Sequence, residues 1–165
     1  MRLIRPDKFA SSPGRFCDGR LARTCPISSR DLPQIAALDL CAFGADRAPL
    51  LRSLFQRAPE AAQCTLRQEH PAFCLGRHGS RLSQLGPVVA ETVEQASSVC
   101  KAVLAAWVGR AVVVDVPASQ ETFLAWLCER GFEIQRPFTR MCYGAPLPQP
   151  AGGVYSFAIC GPEFG

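Results

Sequence analysis

An α+β fold built on a mixed sheet is what the residue pattern of this chain predicts, and three observations carry that prediction. The stretch from Ala111 to Tyr143 reads as a strand, an amphipathic helix, a glycine turn and a second strand. Residues 61–89 hold three strand candidates divided by turn signals, the pattern of an antiparallel meander. Two helix patterns precede the meander and a third follows it. A chain of 165 residues is most simply one domain, long enough to bury roughly 70% of its unfolded surface.

Residues 1–15 combine Pro6, Pro13, Gly14 and two serines, so an irregular basic arm is expected there, with one domain over residues 16–165. A strand candidate at Phe16–Thr24 leads into Cys25 and Pro26. Ser28, Ser29 or Asp31 can cap a helix with Pro33 in its first turn, lined by Ile35, Leu38 and Ala42 and ended by Gly44. Asp46 is a candidate cap for a second helix, whose apolar stripe is Leu50, Leu51, Leu54, Phe55 and Ala58. The meander strands are Ala61–Arg67, Ala72–Arg77 and Arg81–Val89. A helix over Glu91–Val108 follows, apolar at Ala96, Val99, Cys100, Val103, Leu104 and Trp107, with Glu91 or Glu94 serving its N-terminal dipole. The valine run Val112, Val113, Val114 and Val116 is stopped by Pro117. Phe123, Leu124, Leu127 and Cys128 then recur at helical spacing, and Gly131 closes that helix. A Pro/Gly loop at 145–153 precedes a last strand, Val154–Cys160.

Composition narrows the function classes. No apolar run approaches the ~18 residues a membrane span needs, and no segment reads as a secretory signal. The nine cysteines are scattered with no Cys-x-x-Cys, so neither a disulfide framework nor a zinc site is expected, and a reduced, cytoplasmic protein is. His70 and His78 sit in turn patterns, isolated, and are expected to be exposed rather than metal ligands. The net charge of +4 divides into +5 over residues 1–30 and −1 over the rest. The basic excess is thus a dilute tail, and nucleic acid is not an expected partner.

The order of these elements, with Arg130-Gly131-Phe132 at the helix end, resembles the GNAT superfamily of acyl-CoA N-acyltransferases. LDLCAFGADR, LGPVVAE, VVVDVP, GFEIQRPFTRM and AICGPEFG are more closely similar to the second domain of bacterial tandem-GNAT proteins. The resemblance covers about residues 16–165 and implies a sheet of about seven strands flanked by about four helices. It also implies acetyl-CoA as the acyl donor, no metal, and a primary amine of a small molecule or protein as acceptor. A homodimer or pairing with another GNAT domain is left open.

Carried over residue by residue, the resemblance places the pyrophosphate at the helix start 93–98, where Gln95, Ala96, Ser97 and Ser98 are the candidate contacts. The glycines and the basic residue of the family loop are absent there, and Glu94 would repel phosphate. Gly86-Pro87 breaks its strand where relatives carry a bulge, so Val88 and Val89 are the expected amide donors to the pantetheine arm. The strands 82–89 and 112–116 are expected to splay after Gly86 and leave a cleft. Gln120 stands where many relatives have an asparagine touching CoA. The position of the family's proton-donating tyrosine is Leu127, which cannot donate. Asp115, a carboxylate near the end of a valine strand, is the catalytic candidate, with a structural pair to Arg140 as the competing role. Asp39, Asp46, Arg47 and Arg140 are the candidate acceptor-pocket residues, and Asp46 has the simpler role of helix cap. Two functions follow: transfer of acetyl from acetyl-CoA to an amine, or a non-catalytic GNAT-fold ligand-binding or partner module with a degenerate CoA site.

Overall fold

The computed structural model describes residues 1–7, 23–65, 71–141, 144 and 152–164. Its strands are β1 (Arg2–Arg5), β2 (Cys25–Pro26), β3 (Gln63–Cys64), β4 (Phe73–Arg77), β5 (Ser83–Ala90), β6 (Val112–Asp115), β7 (Glu133–Arg136) and β8 (Tyr155–Ala158). The helices are α1 (Leu32–Phe43), α2 (Ala48–Arg57), α3 (Val93–Ala106) and α4 (Glu121–Cys128). One sheet runs β2-β3-β4-β5-β6-β1-β7, and β8 pairs with β5 off that path. Every pair is antiparallel except β5–β6, so the sheet is mixed as expected.

Both faces of the sheet are covered. Val99, Val103 and Trp107 of α3 and Phe123 and Leu127 of α4 pack with Leu3, Val112, Val114 and Phe157 on one side. Ile35 of α1 and Leu51 and Leu54 of α2 pack with Phe73, Leu75 and Val89 on the other. The valines of β6 are buried throughout because strands between two helical layers have no solvent face. Trp107 and the stacked pair Phe123–Trp126, 5.5 Å between centroids, belong to this core, as their helical spacing predicts.

Two local expectations fail for physical reasons. The opening residues are not irregular at their start, because Arg2–Arg5 is a strand inserted between β6 and β7, with Leu3 opposite Val114 and Ile134. The strand expected from Ala61 is only Gln63–Cys64, since Pro59–Ala61 forms a 3-10 turn. At α3 Glu94 lies in the first turn, as expected for the dipole, and the cap is Thr92, whose hydroxyl accepts from the Gln95 amide in a capping box. Most of the expected strand 16–24, and His70, lie outside the described residues. Gly131 ends α4 as read: at φ 79° it lets the Phe132 amide bond back to Leu127 O at 3.2 Å.

Candidate functional site

The wedge in the sheet begins at Gly86. Parallel pairing of β5 with β6 runs from Ser83–Val112 to Leu85–Val114 and stops there. Gly86 takes φ 137°, the Gly86–Pro87 peptide is cis, and β5 then leaves β6. The strands therefore splay where expected, and β8 enters the gap. Val88, Val89 and Ala90 pair with Ala158, Ser156 and Tyr155. Just beyond β8, the Ile159 amide donates to Asp115 O at 2.9 Å, linking the inserted segment to β6. Ile159 also presses its carbonyl on Gly86, where an added Cβ would stand 2.2 Å from that oxygen.

Val88 and Val89 thus lie between β4 and β8, fully buried, with a partner strand on each side. Gln120, at the start of α4, extends its amide to Ser156 O at 3.4 Å, so it touches β8. Tyr155 opens β8 and is exposed.

Around the start of α3 the Glu91, Thr92 and Gln95 amides already have side-chain partners. The Gln95 side-chain oxygen accepts from both the Glu91 and Thr92 amides at 3.1 Å. Ala96, Ser97 and Ser98 are buried in the α3 contact with the sheet, and the Ser98 hydroxyl donates back to Glu94 O at 2.8 Å. Glu94 remains exposed in the first turn, where its charge suits the helix dipole. These residues suit an acyl-CoA pyrophosphate poorly: the Gln95 oxygen and the Ser98 hydroxyl are turned to the backbone, Ser97 and Ser98 are buried, and Glu94 in the first turn has the wrong sign.

Asp115 is 1% exposed and does not pair with Arg140. Its carboxylate is held in a fork by Arg2, Nε and Nη2 each at 2.8 Å, with the Gln84 amide at 3.4 Å. The register of β1 on β6, Arg2 opposite Asp115, makes that pair. The Asp115 carboxylate holds the Arg2 guanidinium pKa above its ordinary value. Arg2 also lies over the Phe138 ring at 4.8 Å, and Arg136 lies at 4.8 Å from the same ring.

The four acceptor-pocket candidates gather elsewhere. Asp39 and Arg47 form a second buried fork at 2.7 and 2.9 Å, with Arg47 over Phe43 at 3.6 Å and 3.5 Å from Phe164 O. Arg140 is exposed and approaches the same Phe43 ring at 5.6 Å. The cap position of α2 is Arg47 rather than the expected Asp46, which stands one residue earlier and accepts from the Ala48 amide at 2.9 Å. Asp39, Arg47 and Arg140 therefore share one aromatic cluster, and Asp115 belongs to another with Arg2 and Gln84.

The sequence reading misses a polar group around His78, which is not a free turn residue. Its Nδ1 meets the Ser83 hydroxyl at 3.2 Å, its Nε2 pairs with Glu60, and its ring lies 5.4 Å from Trp107. Burial works to raise the Glu60 carboxyl, but bonds from its own backbone, from His78 and from Trp107 outweigh that and hold it below the ordinary range. Arg77 likewise pairs with Glu163. These partners are far apart in the sequence, so no local signal marks them. Among the described residues no group of three or more His, Cys, Asp or Glu stands close enough to hold a metal ion.

A mixed sheet that splays at a Gly-Pro break, with two helices on each face, defines the acyltransferase class of α+β folds. The profile of the family described as an acetyltransferase (GNAT) domain matches residues 35–156, and the chain belongs to that family. No curated protein and no solved structure gives a match. Among the described residues no helix is long and apolar enough to cross a membrane.

Proposed function

We propose that this chain is a GNAT-fold partner module rather than a self-sufficient acetyltransferase. One observation carries the reading: β8 fills the wedge in which an acyl-CoA arm would add as a strand, and Val88 and Val89 already have strands on both sides. Two further features agree with it. The Gln95 side chain is taken up by the Glu91 and Thr92 amides just before α3, and the carboxylate of Asp115 is neutralised by Arg2 and shut away from any acceptor. A base that is 1% exposed has no access to an amine, and the charge-assisted fork with Arg2 lowers its basicity.

The partner surface under this reading is the β7 end of the sheet. All four residues of β7 are exposed, Ile134 is 52% exposed, and the neighbouring Met141 is 89% exposed. An open strand edge with an apolar residue at its centre suits extension of the sheet by a second GNAT-type domain or a second copy.

The alternative is transfer of acetyl from acetyl-CoA to a primary amine after β8 leaves the wedge. The Gly86-Pro87 break favours it, since it separates β5 from β6 whatever fills the gap. In that case Val88, Val89 and Gln120 would be released to hold the pantetheine arm, and Arg2 would have to leave Asp115. Thermal denaturation with millimolar acetyl-CoA, together with a thiol-release assay over a panel of primary amines, separates the two. The module reading expects no shift and no amine-dependent CoA release. A saturable shift accompanied by CoA release would replace it with the acetyltransferase reading.

A further inference from the structure

Cys25 and Cys64 stand 39 residues apart, and the sheet brings them directly opposite each other on β2 and β3. Their sulfurs are 3.7 Å apart, and the Cys25 sulfur also lies 3.6 Å from Cys64 O. The Ile27 amide donates to Ala62 O at 3.0 Å. Stepping two residues along this antiparallel pair places Cys25 and Cys64 on another hydrogen-bonded pair, where Cα atoms sit about 5.5 Å apart. That separation lies within the range a disulfide spans, and rotation about χ1 is the motion needed to bring the sulfurs to bonding distance.

Access differs between the two thiols. Cys25 is half-buried and Cys64 is 1% exposed. An attacking oxidant therefore reaches Cys25 first, with Cys64 behind it as the resolving thiol. Among the described residues Cys74 and Cys100 also meet side chain to side chain, but both are fully buried, so no oxidant reaches either first. Burial pushes the Cys74 thiol well up, with Cys100 adding to the effect, and burial raises Cys160 to about 11. Both are thus poor thiolates. Cys41 and Cys128 are exposed but lie on different helices.

We propose that Cys25 and Cys64 are a redox modification site, a dithiol that peroxides convert to a reversible cross-strand disulfide. In the first step the Cys25 thiolate attacks a peroxide oxygen, the O–O bond breaks, and a sulfenic acid and water (or an alcohol) result. In the second step the Cys64 sulfur attacks the Cys25 sulfur, the S–O bond breaks, and a second water leaves. Two thiols lose two electrons and two protons in all, and the peroxide takes them up. A cellular dithiol reverses the reaction by exchange.

The staple would act where the fold is held most thinly. β2 and β3 are two residues each, β2 ends the sheet, and Pro26 cannot donate to the ladder. The closed loop would contain α1 and α2, the whole helical layer over one face. A link across a loop of that length restrains the unfolded chain and stabilises the fold. A disulfide of this kind in a reducing compartment is transient and signals oxidation.

The test uses the full chain, reduced and then treated with hydrogen peroxide. Non-reducing tryptic digestion should yield peptide 24–30 joined to peptide 58–67, with a mass two hydrogens below their sum. The oxidised protein should melt several degrees higher than the reduced one, and dithiothreitol should reverse both changes. Cys25→Ser and Cys64→Ser should each abolish the joined peptide and the rise in Tm. Cys74→Ser should leave the joined peptide intact. The proposal is overturned if Cys41 is fully oxidised while Cys25 and Cys64 remain thiols. It is equally overturned if Cys25 ends as a sulfinic acid or is joined to a different cysteine.

Discussion

Asp115 and Arg2 show how one residue's role depends on a partner 113 positions away. A carboxylate buried in a valine strand looks catalytic until its counter-charge is found. Removing Arg2 leaves that carboxylate buried without its fork, whereas removing the charge of Asp115 leaves an arginine that can turn to solvent. We expect Arg2→Met to cost about 3 kcal/mol and Asp115→Asn clearly less, measured by urea denaturation. A double-mutant cycle should give a coupling above about 1 kcal/mol, and equal, additive losses would contradict the pair. Arg5 is the opposite case: its guanidinium is buried, Nε and Nη2 have no hydrogen-bond partner, and burial lowers its pKa. Arg5→Met should therefore raise stability, by about 1 kcal/mol; a fall in Tm would refute this. Glu60 gives a pH dependence. Its folded pKa is depressed, so its stabilisation is in place above the unfolded value of about 4.3 and is lost as the pH falls below it. Stability followed from pH 6 to 3 should decline less steeply in Glu60→Gln, and an unchanged slope would remove Glu60 from the acid limb.

At the scale of elements, β5 and α3 decide whether the family's cofactor site survives. Gly86 joins a positive φ to a backbone contact with Ile159, so no side chain fits there. Gly86→Ala should cost at least about 2 kcal/mol, with accelerated amide exchange confined first to β8. Protection of β8 at the wild-type level would show that the two segments are not packed as described. At α3 the capping box serves the helix and not a ligand. Thr92→Ala should lose about 1 kcal/mol, and Glu94→Arg should lose a few tenths to 1 kcal/mol against the dipole without creating affinity for acetyl-CoA. Micromolar binding by Glu94→Arg would instead identify 93–98 as a phosphate loop.

The whole molecule separates what local sequence carries from what it does not. The valine strand, the α4 stripe and the Gly131-Phe132 ending are written in adjacent residues, through propensity and periodicity, and each lies where the pattern puts it, save that Cys128, expected on the stripe, is exposed. The break at Gly86-Pro87 is legible for the same reason, being a backbone property of two neighbours. What fills the gap after that break is not legible, because β8 is chosen by pairing with β5 from more than sixty residues away. Arg2–Arg5 escapes notice as well: two of its four residues are arginines, and its strand state comes from β6 and β7 on either side. The site residues follow the same division. Asp46 is read to within one residue of the cap of α2, which is Arg47. The fork Asp39–Arg47 comes from the turn between α1 and α2, whereas the fork Asp115–Arg2 and the His78 group are products of the assembled sheet. The central claim is that the chain's own β8 occupies the wedge. Residue-resolved amide exchange at 88–90 and 155–159, with and without millimolar acetyl-CoA, tests it most directly. The account predicts slow exchange in both segments that acetyl-CoA leaves unchanged. Rapid exchange at both without the ligand, becoming slow at 88–90 when it is added, would contradict it.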